Sequence, residues 1–268
     1  MDHQRQRGSF MKKMISLFLF VGLVLSFSSL AICGTTITQV STFDAILNGI
    51  YDGSVTLKNL LSHGNLGIGT YHALDGELIL LDGKIYQVKA DGKVYTPAMT
   101  QTTPFALVAK FKAEITTKVD RGSDYSALEK ILNKAAAKQN LFWAVKMKGN
   151  FSKIKLRSVP AQKKPYPPLT EVTKTQPIFD LENIGGTIVG IRTPVYIKGV
   201  GVPGYHLHFI SEDLKAGGHV LAFTLAEGTT AEIDMANRYL LVLPERDKSF
   251  SQIDFSIDRS AEVGKTQR

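Results

Sequence analysis

Hydrophobic positions recur along this chain with two periods, and the change from one to the other organises it. Phe43, Ile46, Leu47 and Ile50 fall at helical spacing behind Ser41 or Thr42, either of which can cap a helix over 41–49. Residues 56–62 read as another turn or two of helix. The run LGIGT at 66–70 carries Gly67 and Gly69, which let the backbone approach a neighbour closely. Residues 77–81 and 84–88 then read as paired strands about Asp82-Gly83, a tight-turn dipeptide, and Asp91-Gly92 marks the next turn. Residues 105–111 form a further apolar strand. Ser123 or Asp124 heads a helix to about 138, with Tyr125, Leu128, Ile131 and Leu132 on one face. Residues 141–147 and 151–159 read as two strands, with Trp143 in the core.

Residues 160–168 hold four prolines. Proline lacks the N–H that an interior strand must donate, so this stretch is the best linker. Beyond it the pattern is all-β: 185–193, 204–211, 218–226 and 238–243. From Ser249 the tail is polar and only weakly periodic. The expected fold is α+β. Its N-terminal domain, 34–160, holds a mixed β-sheet with helices; its C-terminal domain, 161–268, is β-rich, antiparallel and barrel-like.

The start of the chain has a different character. Lys12 and Lys13 precede an apolar run from Ile15 to Leu25, and small apolar residues lead to Ala31. This is the pattern of a secretory signal peptide over residues 1–33, cleaved after Ala31. Met11 is a second candidate start, which makes 1–10 an upstream extension. The expected location is secreted or periplasmic, with no membrane segment in the mature form. A second reading lipidates Cys33, but Ile32 is bulky for the position before such a cysteine.

Composition adds little to this picture except by exclusion. Hydrophobic residues make up 44% and charged residues 21%, enough for a real core. The net charge of +8 falls to +5 without the first 33 residues. The lysines are scattered, and no nucleic-acid-binding signature appears, so no nucleic-acid partner is expected. Cys33 is the only cysteine. A zinc site in the folded domain must therefore use histidine and carboxylate.

Three of six histidines fall within fourteen residues, in YHLHF and GGHV. His206 and His208 are two apart on an expected strand, so both project from one face. If 212–217 is a six-residue loop and Ser211 pairs with Gly218, His219 lies opposite Ile210 on that same face. A slip of one residue would flip it away. Three imidazoles with an open fourth position make the pattern of a catalytic zinc site, and other divalent metals are compatible with the ligands. The plain alternative is two surface histidines and one buried one. Tyr205 and Phe209 point the other way, into the core; His63 and His72 read as surface or pocket-edge residues.

YHLHFISEDLKAGGHVLAF, from Tyr205 to Phe223, resembles the metal-binding segment of the alpha-acetolactate decarboxylase family. GIGTYHALDGELI, from Gly67 to Ile79, is similar to that family's N-terminal active-site segment, and LRSVPAQKKPYPPL around Arg157 is a third, less specific match. The resemblance implies Zn2+ on His206, His208 and His219. It places Glu77 and Arg157 toward the metal as catalytic residues and Thr70 in the pocket. It also implies a C-terminal catalytic glutamate, for which Glu262 is the nearest candidate. The implied reaction converts 2-acetolactate to acetoin: the metal chelates the hydroxyl and ketone oxygens and stabilises an enediolate. Arg157 would orient the carboxylate and Glu77 handle protons. A homodimer is the expected assembly. Without the resemblance, Glu77 and Arg157 read as ordinary strand-end charges. An exported zinc hydrolase, or a non-catalytic metal- or sugar-binding β-domain, then stands beside the decarboxylase.

Overall fold

A computed structural model describes residues 34–267; the expected signal sequence, its cleavage point and Cys33 lie outside them. The chain enters as strand β1 (Thr35–Val40), helix α1 (Phe43–Leu47), β2 (Val55–Thr56) and α2 (Leu57–His63). A run of strands follows: β3 (Leu66–Thr70), β4 (Glu77–Leu81), β5 (Lys84–Val88), β6 (Val94–Tyr95), β7 (Thr102–Thr103), β8 (Ala106–Ala109) and β9 (Ile115–Val119). Helix α3 (Tyr125–Ala135) leads to β10 (Phe142–Arg157), the short α4 (Leu169–Val172) and β11 (Ile178–Thr193). The last elements are β12 (Gly204–Ser211), β13 (Gly217–Leu225), β14 (Thr229–Val242) and α5 (Ser260–Gln267).

Local chemistry explains the starts and stops. Thr42, Thr56 and Asp124 each accept a backbone N–H three residues on, capping α1, α2 and α3. Asp82 and Gly83 both have positive φ, as a two-residue hairpin turn between β4 and β5 requires. Gly67 fills the role its lack of a side chain suggests. A Cβ there would lie 2.3 Å from the Leu107 carbonyl oxygen on β8.

Twelve strands share one sheet, in the order β11-β12-β13-β10-β14-β1-β8-β3-β4-β5-β6 with β9 on β14. Every pairing is antiparallel except β1 with β14. β10 pairs with β11 along nearly its whole length, so β10, β11, β12 and β13 pair in a closed circuit. The two strands expected at 141–147 and 151–159 are this one strand, β10. It holds β14 with its first half and β13 with its second.

That continuity overturns the expected division into domains at 160. The sheet runs through both sides of the position, and the chain from Thr35 onward clusters as one compact unit. The proline-rich stretch is a fixed loop. Gln162 donates its backbone N–H to the Ala73 carbonyl, Tyr51 donates its hydroxyl to the Pro167 carbonyl, and Tyr166 packs on Tyr51. The sheet is buried on both faces in its middle. Phe142, Ala144, Val189, Ile191 and Ile210 belong to one apolar cluster. Trp143, Val145, Ile188, Leu207 and Phe209, alternating with them, belong to a second.

Candidate active site

The alternation that builds two clusters also selects the face of the histidines. On β12, Leu207 and Phe209 enter the second cluster, which leaves His206 and His208 on the side of Ile210 and the first. On β13, Val220 enters the second cluster and His219 is left on the opposite side. The observed register pairs His208 with His219 and Ile210 with Gly217. It differs by two residues from the expected pairing of Ser211 with Gly218. A shift of two preserves the side-chain face, so the grouping survives the wrong loop length.

The same rows extend outward. Arg157, the last residue of β10, lies directly opposite His219 on β13. Ile154 and Leu156 pack in the second cluster, and Arg157 lies on the histidine side. Glu77 opens β4, opposite Thr70 on β3. Its carboxylate comes within 3.5 Å of His208 Nε2.

The three imidazoles are buried, and one ligand atom from each lies within 4.8 Å of the others. Their ring centroids are 4.8–5.4 Å apart. His208 is oriented by the backbone: its Nδ1 lies 3.0 Å from the Leu78 carbonyl oxygen on β4. A carbonyl only accepts, so Nδ1 carries the hydrogen and Nε2 presents its lone pair. The Nε2 atoms of His206 and His208 are 3.3 Å apart. That is close to the edge of a tetrahedron of nitrogens held about 2.0–2.1 Å from an ion. Burial drives the His208 pKa down to about 3 and that of His206 well below its usual value, with the Arg157 charge pushing the same way. These two rings are thus neutral, as metal ligation requires. Donor type, spacing and protonation fit a divalent cation.

Glu77 is 7% exposed, and burial raises its pKa to about 7 against the pull of Arg157 and of a backbone hydrogen bond from Val159. Near neutrality it can therefore hold or release a proton. Arg157 is 4% exposed. Its Nη1 donates to Gln176 Oε1 at 3.0 Å and its Nη2 donates to the Thr266 carbonyl oxygen, while Nε has no hydrogen-bond partner among the described residues. Thr70 is buried and donates its hydroxyl to the Gly76 carbonyl at 2.7 Å. Thr70, Glu77, Arg157, His206 and His219 line one cavity of about 60 Å³, walled by Phe43, Ile46, Leu74, Phe105 and Leu169.

Six of the seven expected site residues thus meet at one place. Glu262 does not. It sits on α5 with its carboxylate 3.0 Å from Arg259, and it is absent from the cavity wall. The residue of that helix that reaches the cavity is Thr266, one turn further on. The Leu78 carbonyl, the Val159 N–H, Gln176 and Thr266 are site components that sequence reasoning missed. Three of them act through backbone groups, which leave no trace in side-chain identity. His72 is exposed, and Trp143 is fully buried in the second cluster, as expected.

Comparison with known proteins adds four findings. A family model described as Alpha-acetolactate decarboxylase matches residues 37–257. The alpha-acetolactate decarboxylase of Methanosarcina mazei is 48% identical over 206 residues, 77% of this chain and 71% of its own. That of Bacillus licheniformis is 42% identical over 218 residues, 81% and 85% of the two chains. The solved structure of the Bacillus subtilis strain 168 enzyme superposes with a TM-score of 0.83 at 39% identity, covering 87% of this chain and 99% of that one.

Proposed function

This chain belongs to the alpha-acetolactate decarboxylase family, and from that premise we propose that it decarboxylates 2-acetolactate to acetoin with a divalent metal, zinc by preference, on His206, His208 and His219. As a decarboxylase it is a carbon–carbon lyase. The observation that carries the mechanistic reading is the single row His208–His219–Arg157 across three strands, with Glu77 beside it.

When bound, the metal would supply Lewis-acid polarisation of the ketone and a counter-charge for the oxygen that becomes negative as carbon dioxide leaves. The chain's own residues do the rest. Arg157 receives the carboxylate through charge-assisted hydrogen bonds and fixes which bond breaks. Glu77 holds a proton at a pKa near 7 and delivers it to the carbon that loses the carboxylate, from one side only. Phe43, Ile46, Leu74, Phe105 and Leu169 keep water out, which strengthens each of these charge interactions. The β-keto group is itself the electron sink, so the reaction needs no organic cofactor.

The test is acetoin and carbon dioxide release from acetolactate, with and without a chelator. Acetoin that appears only with metal supports the proposal. A hydrolase or a binding module would produce none under either condition. We further propose export with cleavage after Ala31 and assembly as a homodimer. N-terminal sequencing of secreted protein and light scattering check these, and a mature chain beginning at Met1 or Met11 overturns the first.

A further inference from the structure

Arg157 and Arg192 are the two buried arginines among the described residues, and their surroundings differ. Arg192 is enclosed. Its guanidinium donates to the backbone carbonyls of Gln139 and Leu141 and to the Gln139 side chain. It also lies 4.4 Å from the centre of the Trp143 ring, whose face attracts a cation. Arg157 is held more sparsely. Gln176 Oε1 accepts from Nη1 and the Thr266 carbonyl accepts from Nη2, while Nε has no hydrogen-bond partner among the described residues. Both acceptors are neutral. A buried cation is ordinarily matched by an anion, because its desolvation is costly. A carboxylate at position 176 would also make the stronger, charge-assisted bond. Glutamine satisfies the N–H and leaves the charge uncancelled.

The backbone around Gln176 is fixed relative to the arginine. Gln176 follows a 3-10 turn, Thr173–Thr175, and has extended φ and ψ of −66° and 137°, the conformation favoured before a proline. The Pro177 carbonyl accepts the N–H of Ser158 at 3.3 Å, and Ile178 pairs with Arg157 itself. On the other side of the turn, Leu169 and Val172 are buried in the first cluster. The segment that carries the amide is therefore tied to the strand end that carries the guanidinium. Gln176 is not part of the cavity wall, whereas Arg157 is. Its influence on a bound acid must pass through Arg157.

We infer that Gln176 is a positioning residue, a neutral tether that fixes the Arg157 guanidinium while leaving its positive charge available to the carboxylate of a 2-hydroxy acid. The inference rests on the reading of Arg157 given above. It makes a demand that a purely structural role does not. If Gln176 only satisfied a buried donor, glutamate would serve as well or better, since it has the same shape and accepts more strongly. If neutrality is what counts, glutamate is the more damaging replacement, because it occupies the guanidinium and repels an anion, and alanine is the milder one.

The experiment measures binding by calorimetry to metal-loaded wild type, Gln176→Ala and Gln176→Glu. The probe is 2-hydroxy-2-methylpropanoate, which carries the hydroxyl and carboxylate but no ketone and cannot be decarboxylated through one. Acetoin, which is uncharged, is the control. The acid should bind about threefold more weakly to Gln176→Ala and about thirtyfold more weakly to Gln176→Glu, the scale of a neutral and of a charged hydrogen bond. Affinity for acetoin should not follow that order, and metal content should be the same in all three. Binding of the acid to Gln176→Glu as tight as to Gln176→Ala, or tighter, overturns the tether. So does an acetoin affinity that falls in the same order, or a wild type that does not bind the acid. Should Gln176→Glu fail to fold, Gln176→Ala decides, and unchanged affinity for the acid overturns the tether there too. Acetoin formation from acetolactate by the wild type is scored separately, so the tether can fail while the decarboxylase reading stands.

Discussion

Replacing Glu77 with glutamine keeps the side chain's size and removes its proton chemistry. The carboxylate is buried and close to His208, and burial lifts its pKa from 4.5 to about 7. Two consequences follow. The first is catalytic. A lost proton donor costs on the order of a hundredfold in rate, or about 2.7 kcal/mol of transition-state stabilisation. Metal content should stay near normal, because three histidines remain. Acetoin formation measured from pH 5 to 9 should also lose whatever limb lies near pH 7. The second consequence is in stability, and its sign opposes the usual carboxylate case. A raised pKa means that the folded state holds the proton more tightly than the unfolded chain. The stabilisation is fully present below pH 4.5 and is lost as pH rises to about 7. At about 1.4 kcal/mol per pH unit, the metal-free wild type should lose about 3 kcal/mol over that window, relative to Glu77→Gln. Urea unfolding of both metal-free proteins at pH 4.5 and pH 8 reads the difference. Glu77→Gln retaining more than half of wild-type activity, or a stability difference that does not change with pH, would refute the reasoning.

Three further perturbations separate the remaining roles. His208→Ala should remove most bound metal and nearly all activity while the protein stays folded; a full metal complement by elemental analysis would sink the ligand assignment. Arg157→Lys keeps the charge but loses the fork, so turnover should fall about a hundredfold with metal retained; an unchanged rate would take carboxylate binding away from this residue. Gly67→Ala places a methyl 2.3 Å from the Leu107 carbonyl and 2.9 Å from Val108 Cα, both backbone atoms that cannot swing aside. It should destabilise the protein by on the order of 3 kcal/mol, seen as a lower urea midpoint, and a midpoint within error of wild type would contradict the close approach of β3 to β8.

Local chemistry was legible in the chain wherever a short span settles the outcome. Asp82-Gly83 specifies its hairpin, Thr42, Thr56 and Asp124 specify their helix starts, and two-residue spacing puts His206 and His208 on one face whatever lies around them. Even the misjudged loop before His219 left the trio intact, because a slip of two residues keeps the face. What the chain could not disclose depends on partners far away in sequence. Nothing around Phe142 to Arg157 says that one strand would serve β14 with its first half and β13 with its second, and that shared strand is why no domain boundary falls at the prolines. Arg157 reaches the histidine side only because Ile154 and Leu156 belong to the second cluster. Glu77 has its unusual pKa only because the strands around it exclude water. Glu262 was chosen by residue type, yet the fold brings the backbone of Thr266 to the site, and a carbonyl group is the same in every residue. Side-chain identity and period were written in the sequence. Burial, register across the sheet and the use of backbone groups came from long-range packing alone.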